Sequence, residues 1–107
     1  MFAVVYRWTI IPGRESAFER GWRDATVEIA ATQGGWGSRL HRGAEPGVYL
    51  AYAQWPDRAT WEAASAFQST APDAAARAAY RTAWLPGDFE IVFAGDICAD
   101  LLQPRQA

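Results

Sequence analysis

The stretch that most restricts the fold is residues 34–55, GGWGSRLHRGAEPGVYLAYAQW. Two runs of alternating side chains flank a Gly- and Pro-containing connection, which is the pattern of a β-hairpin. A five-residue connection over 43–47 sets Arg42 opposite Val48. Register then pairs His41 with Tyr49, Leu40 with Leu50, Arg39 with Ala51 and Ser38 with Tyr52. Arg39, His41, Tyr49, Ala51 and Ala53 share one face in this reading. Ser38, Leu40, Val48, Leu50 and Tyr52 share the other, which is the face expected to meet the helices.

The flanks of the hairpin supply the remaining elements. Residues 2–11 alternate with period two, with Phe2, Val4, Tyr6, Trp8 and Ile10 on one side, so they read as a strand. Pro12-Gly13 breaks it. Over 14–31, Phe18, Trp22, Ala25 and Ile29 form the stripe of an amphipathic helix, with Glu19 and Arg23 paired at i, i+4 on its outer side and Gly34-Gly35 as the stop. After the hairpin, Asp57 is placed to cap a short helix whose inner edge is Trp61, Ala64 and Phe67. Thr70 and Asp73 have capping-box spacing ahead of an Ala-rich helix to about residue 84. A last strand, 89–102, alternates Phe89, Ile91 and Phe93 with Glu90, Val92 and Ala94.

Strand, helix, strand, strand, helical pair, strand is the split βαβ order of a ferredoxin-like α+β domain with a four-stranded antiparallel sheet. Residues 1–103 are expected to form one domain, with a polar tail at 104–107. Right-handed crossovers put the helices on one face of such a sheet, yet residues 2–11 are apolar on both sides. The uncovered face therefore needs a partner, and a second copy of the chain closing a dimeric α/β barrel is the simplest one.

Composition narrows the function. The net charge is −2, and all ten cations are Arg spread along the chain, which gives no electrostatic footprint for nucleic acid or an anionic membrane surface. A single cysteine, Cys98, excludes an intrachain disulfide and a thiolate metal cluster, and is expected as a buried apolar residue in a reducing, cytoplasmic setting. Residues 1–11 lack a basic leader and a cleavage site, and no apolar run reaches the ~18 residues of a membrane span. Six Trp, four Tyr and five Phe in 107 residues imply either a large aromatic core or an aromatic-lined cavity.

Tyr6-Arg7-Trp8, the PGRE run at 12–15, GSRLHR at 37–42 and AYAQWP at 51–56 together resemble the antibiotic biosynthesis monooxygenase family. The resemblance implies a homodimeric α/β barrel built from ferredoxin-like protomers. It also implies two kinds of chemistry: cofactor-free oxidation of aromatic polyketide phenols or quinols by molecular oxygen, and haem degradation. The haem degraders use an Asn, a Trp and a helical His. This chain has no Asn, and its one His lies on a predicted strand, so haem is not expected as a cofactor.

His41 is the one side chain whose unperturbed pKa lies near neutrality, and is the candidate base for a phenol or quinol. Its bland alternative is a hydrogen-bonded interface histidine. Arg39, two residues away, is placed to hold a carboxylate or phenolate, or else to form an intersubunit ion pair. Tyr49 is a candidate donor to a substrate oxygen, with Ala51 and Ala53 leaving room beside it. Arg7 joins the cavity if its face of the first strand looks inward. Trp36 and Trp55 flank the hairpin as candidate walls, whereas Trp22 and Trp61 are expected in the core. Metal-ligand spacing is missing. The resulting reading is a cytoplasmic homodimer that binds a small aromatic or hydrophobic metabolite as a cofactor-independent monooxygenase. A non-catalytic ligand-binding or structural barrel and a non-oxidative isomerase or decarboxylase are the alternatives.

Overall fold

The computed structural model describes residues 1–70 and 80–103. Its elements are β1 (Phe2–Thr9), α1 (Glu15–Thr32), β2 (Ser38–Arg42), β3 (Val48–Trp55), α2 (Arg58–Thr70) and β4 (Phe89–Asp96). The strands form one sheet in the order β2-β3-β1-β4, and every neighbouring pair is antiparallel. This is the ferredoxin-like arrangement, with β1 at the centre because it pairs with both β3 and β4. The Ala-rich helix expected up to residue 84 falls mainly on residues outside the described ones.

Local signals act as their chemistry predicts. The Asp57 carboxylate accepts hydrogen bonds from the Thr60 backbone N–H and hydroxyl, both at 2.8 Å, so it caps the start of α2. Gly34, just past α1, takes φ +77°, a left-handed conformation that costs glycine nothing. Glu19 makes no hydrogen bond or ion pair with Arg23. Hydrogen bonds from Arg42 and Tyr49 lower the Glu19 pKa most, and the charge of Arg23 still helps. Its carboxylate is taken instead by Arg42 and Tyr49 across the gap to the hairpin.

The hairpin register differs from the expected one by a single residue. Gly43 belongs to the ladder, its N–H donating to the Val48 carbonyl at 2.7 Å, and the connection is four residues, closed by Val48 N–H to Glu45 O at 3.2 Å. Arg42 therefore faces Tyr49, His41 faces Leu50, Leu40 faces Ala51, Arg39 faces Tyr52 and Ser38 faces Ala53. The turn is fixed from outside the hairpin. Gly47, at φ +82°, accepts from the Ile10 N–H at 2.7 Å, and a Cβ there would lie 3.0 Å from the Ile10 carbonyl. A one-residue slip moves every side chain of one strand to the other face relative to its partner.

The helix-facing side of β3 is accordingly Tyr49, Ala51, Ala53 and Trp55, all buried, and not Val48, Leu50 and Tyr52. The reason is volume. β1 presents Phe2, Val4, Tyr6 and Trp8 to the same side, where Phe18 from α1 also packs at 5.1 Å from Trp8. Small residues on β3 leave space for those rings.

At β4 an irregularity interrupts the pairing between Val5 and Tyr6, whose partners are Phe93 and Ile91. Phe89 and Ile91 pair with Trp8 and Tyr6 on the helix side, whereas Phe93 pairs with Val5 on the outer side. The expected alternation of all three aromatic and aliphatic residues on one face is thus broken at Val92. β4 also ends at Asp96 and not near residue 102, so Cys98 lies beyond it and is exposed, against the expectation of a buried thiol.

Candidate functional site

α1 is held against the sheet along its length, by Phe18 and Trp22 in its first half and by Ile29 in its second. Phe18 is fully buried, and one residue on, the Glu19 carboxylate accepts from the Tyr49 hydroxyl at 2.6 Å and from Arg42 Nη2 at 3.0 Å. Hydrogen bonds from Arg42, followed by the one from Tyr49, hold the Glu19 carboxyl below its ordinary pKa. Burial, reinforced by the hydrogen bond to Glu19, pushes the Tyr49 phenol up. Past this brace, Trp22, Ala25 and Ile29 of α1 face Tyr6, Trp8, Ala53 and Trp55 of the sheet across a cavity of about 470 Å³. That volume is in the range of small-molecule sites.

The walls are mostly aromatic and aliphatic, with Tyr80, Trp84, Phe89 and Ile91 completing them. Tyr6 is one of the polar groups on this surface, with Thr26, Ser38, Gln54, Ser65 and Arg81. Its oxygen accepts from Trp61 Nε1 at 2.8 Å, and burial outweighs that hydrogen bond, so its phenol pKa is raised. Tyr6 therefore stays a neutral phenol at physiological pH and remains a hydrogen-bond donor. Trp8 and Trp55 also line the cavity, and their buried indole Nε1 atoms have no hydrogen-bond partner among the described residues. A buried donor left unpaired costs about 1–3 kcal/mol.

The residues singled out from the sequence divide between the two faces of the sheet. Trp55 is a cavity wall, 5% exposed. Trp36 is 54% exposed, and its neighbours Gly35 and Gly37 line the cavity. Tyr49 is on the helix side but outside the cavity, its hydroxyl committed to Glu19. Arg39, His41 and Arg7 lie on the outer face, because their cross-strand partners are Tyr52, Leu50 and Leu50 respectively. His41, Arg39 and Tyr49 are therefore not brought together. Arg7 is paired with Glu90 at 3.3 Å, an exposed ion pair. Arg39 and His41 border a second, more open hollow of about 620 Å³ on the outer face, with Tyr52, Asp100 and Leu101.

Tyr6, which lines the cavity, is not among the residues that the sequence singles out. Its signal was a phenol on the bulky face of β1, where every neighbour on that face is apolar. Among the described residues, no group of three or more His, Cys, Asp or Glu side chains is placed to hold a metal ion.

The sequence profile for antibiotic biosynthesis monooxygenases matches residues 1–80, three quarters of the chain. The chain belongs to the antibiotic biosynthesis monooxygenase family. Solved structures share the fold of this family member at low sequence identity. SnoaB from Streptomyces nogalater, a cofactor-independent oxygenase, superposes with a TM-score of 0.73 at 19% identity, over 95% of this chain and 97% of its own. A Caulobacter crescentus protein named for the same family gives 0.72 at 22% identity, over 92% and 90% of the two chains. A Bordetella bronchiseptica protein, also named for it, gives 0.69 at 19% identity, over 92% and 97%. No curated protein sequence matches the chain significantly. No described helix is long and apolar enough to cross a membrane.

Proposed function

We propose that this family member is a cofactor-independent monooxygenase that oxidises a small aromatic metabolite, a phenol, quinol or polyketide-like ring, between α1 and the sheet. The observation that carries the reading is the aromatic-walled cavity of about 470 Å³ in a chain of this family. An ionised phenol or quinol is electron-rich enough to pass an electron to molecular oxygen, so the protein has to orient the ring and exclude water. Trp55 serves as a wall, Trp36 stands at the rim, and Tyr6 offers a neutral donor to a substrate oxygen. A substrate held there is out of reach of His41 and Arg39 on the opposite face. The fold of SnoaB, a cofactor-independent oxygenase, supports the same reading.

A homodimer is part of the proposal. Phe93 is 55% exposed on the outer face beside Val5, with Leu50 and Tyr52 on the same surface, and covering that patch with a second copy removes it from water. A cytoplasmic location goes with it.

The test is oxygen uptake by metal-free protein against anthrones, quinols and polyphenols, with His41→Ala and the cavity-filling Ala53→Phe run alongside. Uptake that survives in His41→Ala and disappears in Ala53→Phe supports a cavity oxygenase. Uptake lost in His41→Ala and kept in Ala53→Phe moves the chemistry to the outer face. Binding with no uptake identifies a ligand-binding barrel or a non-oxidative enzyme.

A further inference from the structure

The cavity between α1 and the sheet is open on its β4 side. Phe89 and Ile91 of β4 line it and yet are 39% and 47% exposed, because β4 ends the sheet and pairs with β1 alone. Phe93, on the outer face of the same strand, is 55% exposed, so an apolar strip wraps around this edge. An eight-residue free edge also leaves backbone N–H and C=O groups without ladder partners, which makes it a template for another strand.

The opposite edge of the sheet is β2, and its charge complements that of β4. Arg39, His41 and Arg42 stand on β2 with no acid among them, whereas β4 carries Glu90 and Asp96 with no base, and Asp88 directly precedes it. Arg39 makes no ion pair with any described residue. Glu90 holds Arg7 at 3.3 Å and still has lone pairs to offer. An antiparallel register that sets Arg39 of one copy opposite Glu90 of another also sets His41 opposite Asp88, Leu40 opposite Phe89 and Ser38 opposite Ile91. The faces agree as well. Arg39 and Glu90 share the outer face, since their own ladder partners are Tyr52 and Arg7, while Ser38 and Leu40 share the helix side, since theirs are Ala53 and Ala51. Leu40 therefore arrives beside Phe89, on the side where the cavity is open. Each copy has one β2 and one β4, so the same junction forms twice about a two-fold axis and the assembly closes as a dimer. We propose that a second copy of the chain completes the cavity: its β2 edge pairs with β4, its Arg39 meets Glu90, and its Leu40 supplies the wall on the open side. This rests on the reading of that cavity as the substrate site.

The experiment reverses one charge on each edge and reads both mass and binding. By light scattering, wild type is expected at twice 11.8 kDa, and Arg39→Glu and Glu90→Arg each at 11.8 kDa, because each substitution sets like charges opposite one another at both junctions. An equimolar mixture of the two variants is expected to return the dimer, since both junctions of a mixed pair carry opposite charges. Binding of 9,10-anthraquinone is expected to weaken about 10-fold or more in each variant alone and to recover in the mixture. A monomeric wild type, variants that dimerise alone, or a mixture that stays monomeric overturns the edge junction. Full-strength binding by a monomeric variant overturns the completion of the cavity. Amide hydrogen exchange on unaltered protein covers the case of a misfolded variant. The β4 N–H groups that point away from β1 are expected to exchange slowly in the dimer, and unprotected exchange there overturns the proposal. A dimer that obeys the charge swap while no form binds anthraquinone upholds the junction and overturns the cavity reading alone.

Discussion

Ala25→Leu separates a genuine cavity from a packed core by the sign of its effect. Ala25 sits on the inner side of α1 and lines the cavity, and it is half-buried. Leucine adds three carbons, worth about 0.8 kcal/mol each on full burial, or roughly 2.4 kcal/mol together. At a half-buried position about half of that is realised, roughly 1.2 kcal/mol. Restricting the leucine rotamers costs about 0.5–1 kcal/mol. The net change is therefore between about 0 and +0.7 kcal/mol, which is a rise in Tm of at most roughly 5 °C for a domain of this size. In a close-packed core the same enlargement costs about 1–3 kcal/mol and lowers Tm by roughly 5 °C or more. Thermal melts by circular dichroism give the sign, and titration with anthraquinone gives the function, expected to weaken at least about 10-fold because the side chain occupies ligand space. A Tm more than about 5 °C below wild type, with binding unaltered, would refute the reasoning, because the space would then be filled by the protein's own side chains.

Three other perturbations test the frame around the cavity. Tyr49→Phe removes the hydroxyl that donates to Glu19, and is expected to cost about 1 kcal/mol, read as a lower Tm at pH 7. The folded-state pKa of Glu19 is depressed, so the contribution of its ion pair with Arg42 is present above the ordinary carboxylate pKa and fades as pH falls through the depressed value. The Tm difference between wild type and Arg42→Gln should accordingly shrink on acidification, and a difference that does not change between pH 6 and pH 2.5 contradicts this linkage. Phe93→Glu puts a charge in the exposed outer-face patch and is expected to convert a dimer into an 11.8 kDa monomer by light scattering; a wild type already monomeric removes the dimer from the proposal.

Legibility from the sequence follows the range of the interactions involved. The periodicity of residues 2–11 and of the α1 stripe, the cap at Asp57 and the breaks at Pro12-Gly13 and Gly34 depend on neighbours within a few positions. They fix β1, α1 and the start of α2 to within a residue or two. The order of those elements then leaves few topologies for a chain of this length, and the observed β2-β3-β1-β4 sheet is the one expected. The number of aromatic residues leaves a large core and a cavity both open, and the space expected beside Tyr49 at Ala51 and Ala53 is met by a cavity that includes Ala53 but neither Ala51 nor Tyr49.

What only the tertiary structure decided is which side of the hairpin faces the helices. Two glycines bracket the connection, and the sequence treats both as turn residues. The Ile10 N–H, just past β1, donates to the Gly47 carbonyl, Gly43 belongs to the ladder, and the pairing lies one residue from the expected register. That single step separates His41 and Arg39 from Tyr49 and puts Trp55 into the cavity without them. The same holds at β4, where an irregularity against β1 sends Phe93 outward. Side-chain alternation along a strand is a local property and is written in the sequence. The register that orients it depends on contacts with distant residues, and one residue of register is enough to exchange the wall of a site for the outer surface.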